Sequence, residues 1–226
     1  TNVGGLVGNC SGAMNIAAPI SKMQITANNA NNANNANNAA NVGGVVGTAG
    51  TLNMTIGADV ILTSNYPTEE NYGKIEAIGE TVNFGGVVGQ ATSVSISAAN
   101  TVRFQTNDIE ISGSPVYAGG LVGLAGELSI SNVQVNTQGK IKNKVMTITC
   151  AGNVTAGGLV GEAESATVSD CWSGTDVEIN KSTTNSNITF GGIVGKISDA
   201  QNGVIVDSNI SYGRFFIASN DNPTSI

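Results

Sequence analysis

Apolar and polar residues alternate along most of this chain with a period of two. Val94 and Ile96, Leu128 and Ile130, and Leu52, Met54 and Ile56 each stand two apart with small or polar residues between them, the pattern of a strand with one buried face. After a short break a second alternating stretch offers Val102 and Phe104, Val133 and Val135, Val60 and Leu62, and Val177 and Ile179 as inward candidates. A third carries Val82 and Phe84, Met146 and Ile148, and Ile188 and Phe190. No stretch sustains a 3.6-residue period. The pattern predicts three or four short strands per repeat, divided by Gly, Asn, Ser and Asp turns.

These strands are organised by a five-residue core that recurs six times: Gly4-Gly5-Leu6-Val7-Gly8, Gly43-Gly44-Val45-Val46-Gly47, Gly85-Gly86-Val87-Val88-Gly89, Gly119-Gly120-Leu121-Val122-Gly123, Gly157-Gly158-Leu159-Val160-Gly161 and Gly191-Gly192-Ile193-Val194-Gly195. The first glycines are separated by 39, 42, 34, 38 and 34 residues, a solenoid period with slack in its loops. One such unit cannot bury its apolar stripe, but coils stacked about 4.8 Å apart make a continuous core. The sequence therefore predicts an all-β fold, a parallel β-helix (β-solenoid) of about six repeats spanning residues 1–226 as a single domain. The glycines are expected at tight corners, where positive φ and close approach to the neighbouring coil favour a residue without Cβ. The Leu, Val or Ile between them is expected to point inward. The spacing leaves open whether a repeat makes one coil or a coil and a fraction.

The run Gly157-Gly158-Leu159-Val160-Gly161, Thr167-Val168-Ser169-Asp170-Cys171-Trp172 and Gly174, returning to Gly191-Gly192, resembles the GLUG repeat. The resemblance covers nearly the whole chain in period and is closest from Ala156 to Gly195; other copies lose the Cys/aromatic step and the glycine after it. It implies a β-solenoid segment of a large secreted or surface-anchored, adhesin-like protein, and supplies no catalytic residues.

Composition narrows the function classes. Charged residues are 11%, aromatics 4%, and the formal charge is −7 with nine Lys and Arg, so no basic footprint exists for nucleic acid or an anionic bilayer. Lys140, Lys142 and Lys144 alternate along an expected strand edge and read as solvated. The chain has no histidine, which removes Ser/His and Cys/His catalysis and histidine metal sites. Cys10, Cys150 and Cys171 form no CxxC pair, leaving open one disulfide plus a free thiol. Residues 27–40 repeat Ala-Asn-Asn, which reads as a polar excursion, an asparagine ladder on a coil, or placeholder lettering. Thr1 enters inside the motif, so the chain reads as part of a longer one.

Six sequons stand at Asn9, Asn53, Asn153, Asn180, Asn187 and Asn209, a number that abundant Asn, Ser and Thr produce by chance. The glycine cores lack the helix a phosphate-binding loop needs, and they carry no Asp for a calcium roll. Scattered acids remain: Glu69 and Glu70 near Pro67, and Glu162, Glu164 and Asp170 around the fifth core. Glu162 with Asp170 is the sharpest hydrolytic pair, since glycoside hydrolysis needs two facing carboxylates. Trp172 reads as a surface contact or, preferably, a residue stacked between coils. Thr147 and Thr149 are too isolated for an ice-binding ladder.

The expected function is a non-catalytic structural or adhesive segment of an extracellular surface protein or fibre, with glycan binding or polysaccharide processing as the alternative. No catalytic, cofactor-binding or metal-binding residue is predicted. End-to-end contacts with further repeats or identical subunits, or contacts with surface glycans or proteins, are the expected partnerships.

Overall fold

A computed structural model describes residues 1–17, 20–21, 25–28, 39–57, 60–61, 75–105, 109–135, 145–181, 187–199 and 204–219. Among them the chain forms strands, turns and bends without helix, and every strand pairing is parallel. Three sheets run side by side along one axis. The first contains, in order, β1 (Asn2–Gly4), β5 (Ala39–Gly43), β9 (Thr81–Gly85), β12 (Val116–Gly119), β15 (Val154–Gly157) and β19 (Ile188–Gly191). The second contains β2 (Val7–Ile16), β6 (Val46–Ile56), β10 (Val88–Gln105), β13 (Val122–Val135), β16 (Val160–Ser169) and β20 (Val194–Ile197). It is widened by the short strands β3 (Ile20–Ser21), β7 (Val60–Ile61), β17 (Trp172–Ser173), β21 (Val204–Asp207) and β22 (Ile210–Ser211). The third contains β4 (Ile25–Asn28), β8 (Ile75–Ile78), β11 (Ile109–Gly113), β14 (Val145–Cys150), β18 (Asp176–Lys181) and β23 (Phe215–Ser219). This is the β-solenoid.

First glycines pair directly: Gly4 with Gly43, Gly43 with Gly85, Gly85 with Gly119, Gly119 with Gly157 and Gly157 with Gly191. One period between cores therefore closes one coil, which the spacing alone left undecided. The register places like on like. Leu52, Val94, Leu128 and Ala166 form one inward row, Met54, Ile96, Ile130 and Val168 another, and Ile75, Ile109, Met146 and Val177 a third. All twelve are buried; each aliphatic side chain removed from water contributes about 1.5–3 kcal/mol, so the rows form the core that no single coil could supply.

The structure regroups some of the expected strands. Met146 and Ile148 belong with Val177 and Ile179 in the third sheet, whereas Val82, Phe84, Ile188 and Phe190 lie in the first. Val133 and Val135 sit in the second sheet, on its extension beyond Ile130. All three classes alternate with the same period, so periodicity alone could not separate them.

The corner between the first two sheets explains the glycine core. A Cβ on the first glycine would meet the carbonyl oxygen three residues on, at 2.0 Å for Gly85 and Val88 and 2.1 Å for Gly119 and Val122. A Cβ on the third glycine would strike the preceding coil, Gly123 reaching the Phe84 nitrogen at 2.6 Å and Gly161 the Ala118 nitrogen at 2.7 Å. Positive φ, expected at these corners, is found instead at Gly12 (108°) among the described glycines. Close packing of backbone on backbone, rather than left-handed conformation, selects glycine here.

The residue between the glycines is buried at Val45, Val87, Leu121 and Leu159, while Leu6 is exposed. Each of their carbonyls accepts two N–H groups from the coil before: Val45 from Leu6 and Val7, Val87 from Val45 and Val46, and Leu121 from Val87 and Val88, at 2.8–3.1 Å. The corner thus continues the hydrogen-bond ladder between sheets.

Candidate functional site

A groove crosses successive coils where the alternation of the second sheet breaks. Along β13, Leu124 faces outward, Ala125 inward, Glu127 outward and Leu128 inward, so Gly126 is an extra residue. The same step recurs where Gln90 and Ala91 are followed by Ser93 and Val94, and the registers of β6, β10, β13 and β16 all skip that residue. The extra residue recurs from coil to coil, so the strands stay in register, and a cleft of about 560 Å³ lies over it.

Three rows line it. One wall holds Gln90, Leu124 and Glu162, the other Thr51, Ser93 and Glu127, and between them lie Thr92, Gly126, Glu164 and Ser198 over the small buried Ala91 and Ala125. Gly126 has no room for a side chain because a Cβ would lie 2.4 Å from the Thr92 carbonyl oxygen. The polar side chains lining it are four hydroxyls, one amide and three carboxylates. Glu127 accepts from the Ser93 hydroxyl at 3.4 Å, Gln90 Oε1 from the Asn83 amide at 3.4 Å, and Glu162 from Lys196 Nζ at 3.0 Å.

The expected hydrolytic pair is not brought together. Glu162 lies within β16 and Asp170 just past its end, eight positions apart along extended chain, about 20–26 Å, far beyond the separation at which two carboxylates flank one glycosidic bond. Glu162 and Glu164 share the groove; Asp170, with φ of 53°, turns the chain at the far end of the strand. Glu69, Glu70, Lys140, Lys142 and Lys144 lie outside the described residues, as do residues 29–38 of the Ala-Asn-Asn tract. The ends of that tract, Ala27–Asn28 and Ala39–Ala40, belong to β4 and β5.

Trp172 is a surface residue, 41% exposed, in an outward row between Gln134 and Ile210. The two expectations for it, a surface contact and a residue stacked between coils, meet in this outward row, while its neighbours Cys171 and Ser173 take the inward places, both buried. Ile210, the register partner of Trp172 one coil on, and Tyr212 are exposed as well. Thr147 and Thr149 lie on the third sheet in rows with Glu110 and Ser112, not in a threonine ladder.

The three cysteines carry thiols and form no disulfide with one another. Burial pushes the thiols of Cys150 and Cys171 above their ordinary range. Cys171 donates to the Ser169 carbonyl at 3.1 Å, which suits a packed structural cysteine. Asn209, one of the sequon residues, is fully used: Nδ2 donates to the Val168 carbonyl at 2.7 Å and Oδ1 accepts from the Cys171 amide at 2.9 Å. Among the described residues no group of three or more Cys, Asp or Glu could hold a metal ion.

No family model, no curated protein and no solved structure matches the chain.

Proposed function

We propose that this chain is a non-catalytic structural or adhesive repeat segment of an extracellular surface protein or fibre, similar to GLUG-type repeats. The observation that carries this reading is the unbroken parallel register from Gly4 to Gly191, which makes backbone hydrogen bonds run along one axis. Such a ladder resists extension, and each coil depends only on its neighbours. Sparse charge supports it too, because stacking equal charges every ~4.8 Å would be destabilising. Leu6, exposed at one end, and Ile210 and Ile217, exposed at the other, suit end-to-end contact with further repeats or identical subunits. Duplicating residues 119–156 tests this: a spacer lengthens by about one coil, ~4.8 Å, and stays folded. A duplicated chain that unfolds contradicts the reading.

The groove favours a second reading, glycan binding with or without processing. A glycan screen for binding and for turnover, with Glu162→Gln as control, separates the two. Turnover lost in that variant would replace the non-catalytic reading.

A further inference from the structure

Resting on the first of these readings, we infer that the two end faces of the solenoid are docking surfaces for each other, so that a second copy of this chain stacks on the first head to tail. The corner ladder shows why. Leu6 and Val7 donate to the Val45 carbonyl, and the series continues to Leu159 and Val160, which donate to Ile193 at 2.9 and 3.0 Å. Each corner therefore gives its N–H groups to the coil after it and its carbonyl to the coil before. Across the described residues this leaves the Ile193 and Val194 N–H groups facing out at one end and the Leu6 carbonyl at the other, donors that match an acceptor. A copy translated along the axis joins them. Two like ends brought together put donor on donor at this corner.

Gly8 points to the same occupant. Its counterparts Gly47, Gly89 and Gly123 must be glycine because a Cβ would lie 2.5–2.6 Å from backbone of the preceding coil. At Gly8 the nearest atom is the Asn2 carbonyl oxygen of its own coil, at 3.3 Å. It is thus the glycine of a covered coil, and Leu6 beside it is 52% exposed where Val45, Val87, Leu121 and Leu159 are buried. Continuing the register sets Thr189 beside Asn2 and Phe190 beside Val3 of the next copy. The asparagine amides on this row donate toward the earlier coil, Asn83 to Asn41 and Asn41 to Asn2, so Asn2 Nδ2 is directed at the Thr189 hydroxyl. Phe190 and Phe215, stacked with ring centroids 4.2 Å apart, meet the smaller Val3 and Ile25. Lys196 falls on Asn9 and Asp207 on Asn15, so no like charges stack. Such a heterologous contact leaves both outer ends free to repeat it, and the product is an open filament.

Sedimentation velocity of the whole chain up to about 1 mM, with a cross-linking arm, tests the assignment. An open series of dimers, trimers and longer species is expected. Asn9→Cys with Lys196→Cys, in a Cys10→Ser background, should oxidise to a ladder of disulfide-linked chains, because register neighbours stand within disulfide reach. The off-register pair Asn15→Cys with Lys196→Cys should give no ladder. Leu6→Lys, at a side chain exposed in the single chain, should keep the circular dichroism of the fold and weaken association at least about tenfold. Gly8→Val obstructs the same face and serves if the first variant folds poorly. A chain that stays monomeric, a series that stops at a dimer, or cross-linking as efficient off register as in register overturns the proposal. A monomeric chain whose duplicated form still folds leaves the structural reading standing, with further repeats of one longer chain as the cover for these faces. Unfolding of the duplicated chain removes that reading whatever the ends do.

Discussion

The side-chain amide of Asn83 donates to Oδ1 of Asn41 at 2.7 Å, one coil away, and Asn41 donates in turn to Asn2 at 2.8 Å. This asparagine ladder lies on the first sheet and stops where the register brings Tyr117 opposite Asn83. Asn83 Oδ1 is left buried without a donor. Two substitutions with opposite signs follow. Asn41→Ala removes both bonds and should destabilise by about 2 kcal/mol, whereas Tyr117→Asn supplies the missing donor and should stabilise by about 1 kcal/mol. Urea denaturation of both variants checks the signs; destabilisation by Tyr117→Asn would count against the ladder.

The corner glycines should differ sharply from glycines elsewhere. Gly123→Ala places a methyl against backbone of the preceding coil and should cost about 3 kcal/mol or more. Gly50→Ala, whose Cβ would first meet the Ser11 side chain at 3.9 Å, should change stability by less than about 0.5 kcal/mol. Thermal unfolding of the two variants side by side provides the comparison.

Cys150 and Cys171 should react only on unfolding, while the half-exposed Cys10 reacts in the native chain. A thiol reagent at pH 8 is expected to label one cysteine quickly and two more in denaturant. Burial raises both native pKa values, so their protons are held more tightly in the folded state. Stability is therefore full below the unfolded thiol pKa of about 8.5 and declines as pH rises through it toward the native values. Replacing both thiols by alanine should flatten that alkaline decline.

Asp176 fastens the strand that follows it in the third sheet. It accepts the Arg214 backbone N–H at 2.7 Å and the Arg214 guanidinium at 2.7 and 3.2 Å. Asp176→Ala should speed amide exchange in Phe215–Ser219 and leave β13 unaffected; uniform acceleration would show a global rather than local role.

Much of the core was legible because alternation survives in parallel coils: Leu52, Val94 and Leu128 were read as inward from spacing alone and share one buried row. The partition among sheets was not legible. Met146 and Phe84 obey the same period, and only hydrogen-bond register distinguishes third sheet from first. The groove left a signal that pattern reading passed over. Ala91 and Val94, Ala125 and Leu128, and Ala163 and Ala166 are three apart, not two, and that recurring extra residue lies where the groove opens. Trp172 could likewise have been placed outward, since it stands between two buried small residues, Cys171 and Ser173.

The claim on which everything rests is that residues one period apart stack in register. Ala13, Asn53, Ser95, Ser129 and Thr167 form one such row, and its two ends are exposed and 154 positions apart in the sequence. Spin labels at Ala13→Cys and Thr167→Cys, in a Cys10→Ser background, give the separation by pulsed electron resonance. Four coil steps predict a narrow distribution near 19 Å, about 4.8 Å per step. A broad distribution, or one centred beyond about 30 Å, would contradict the stacked register.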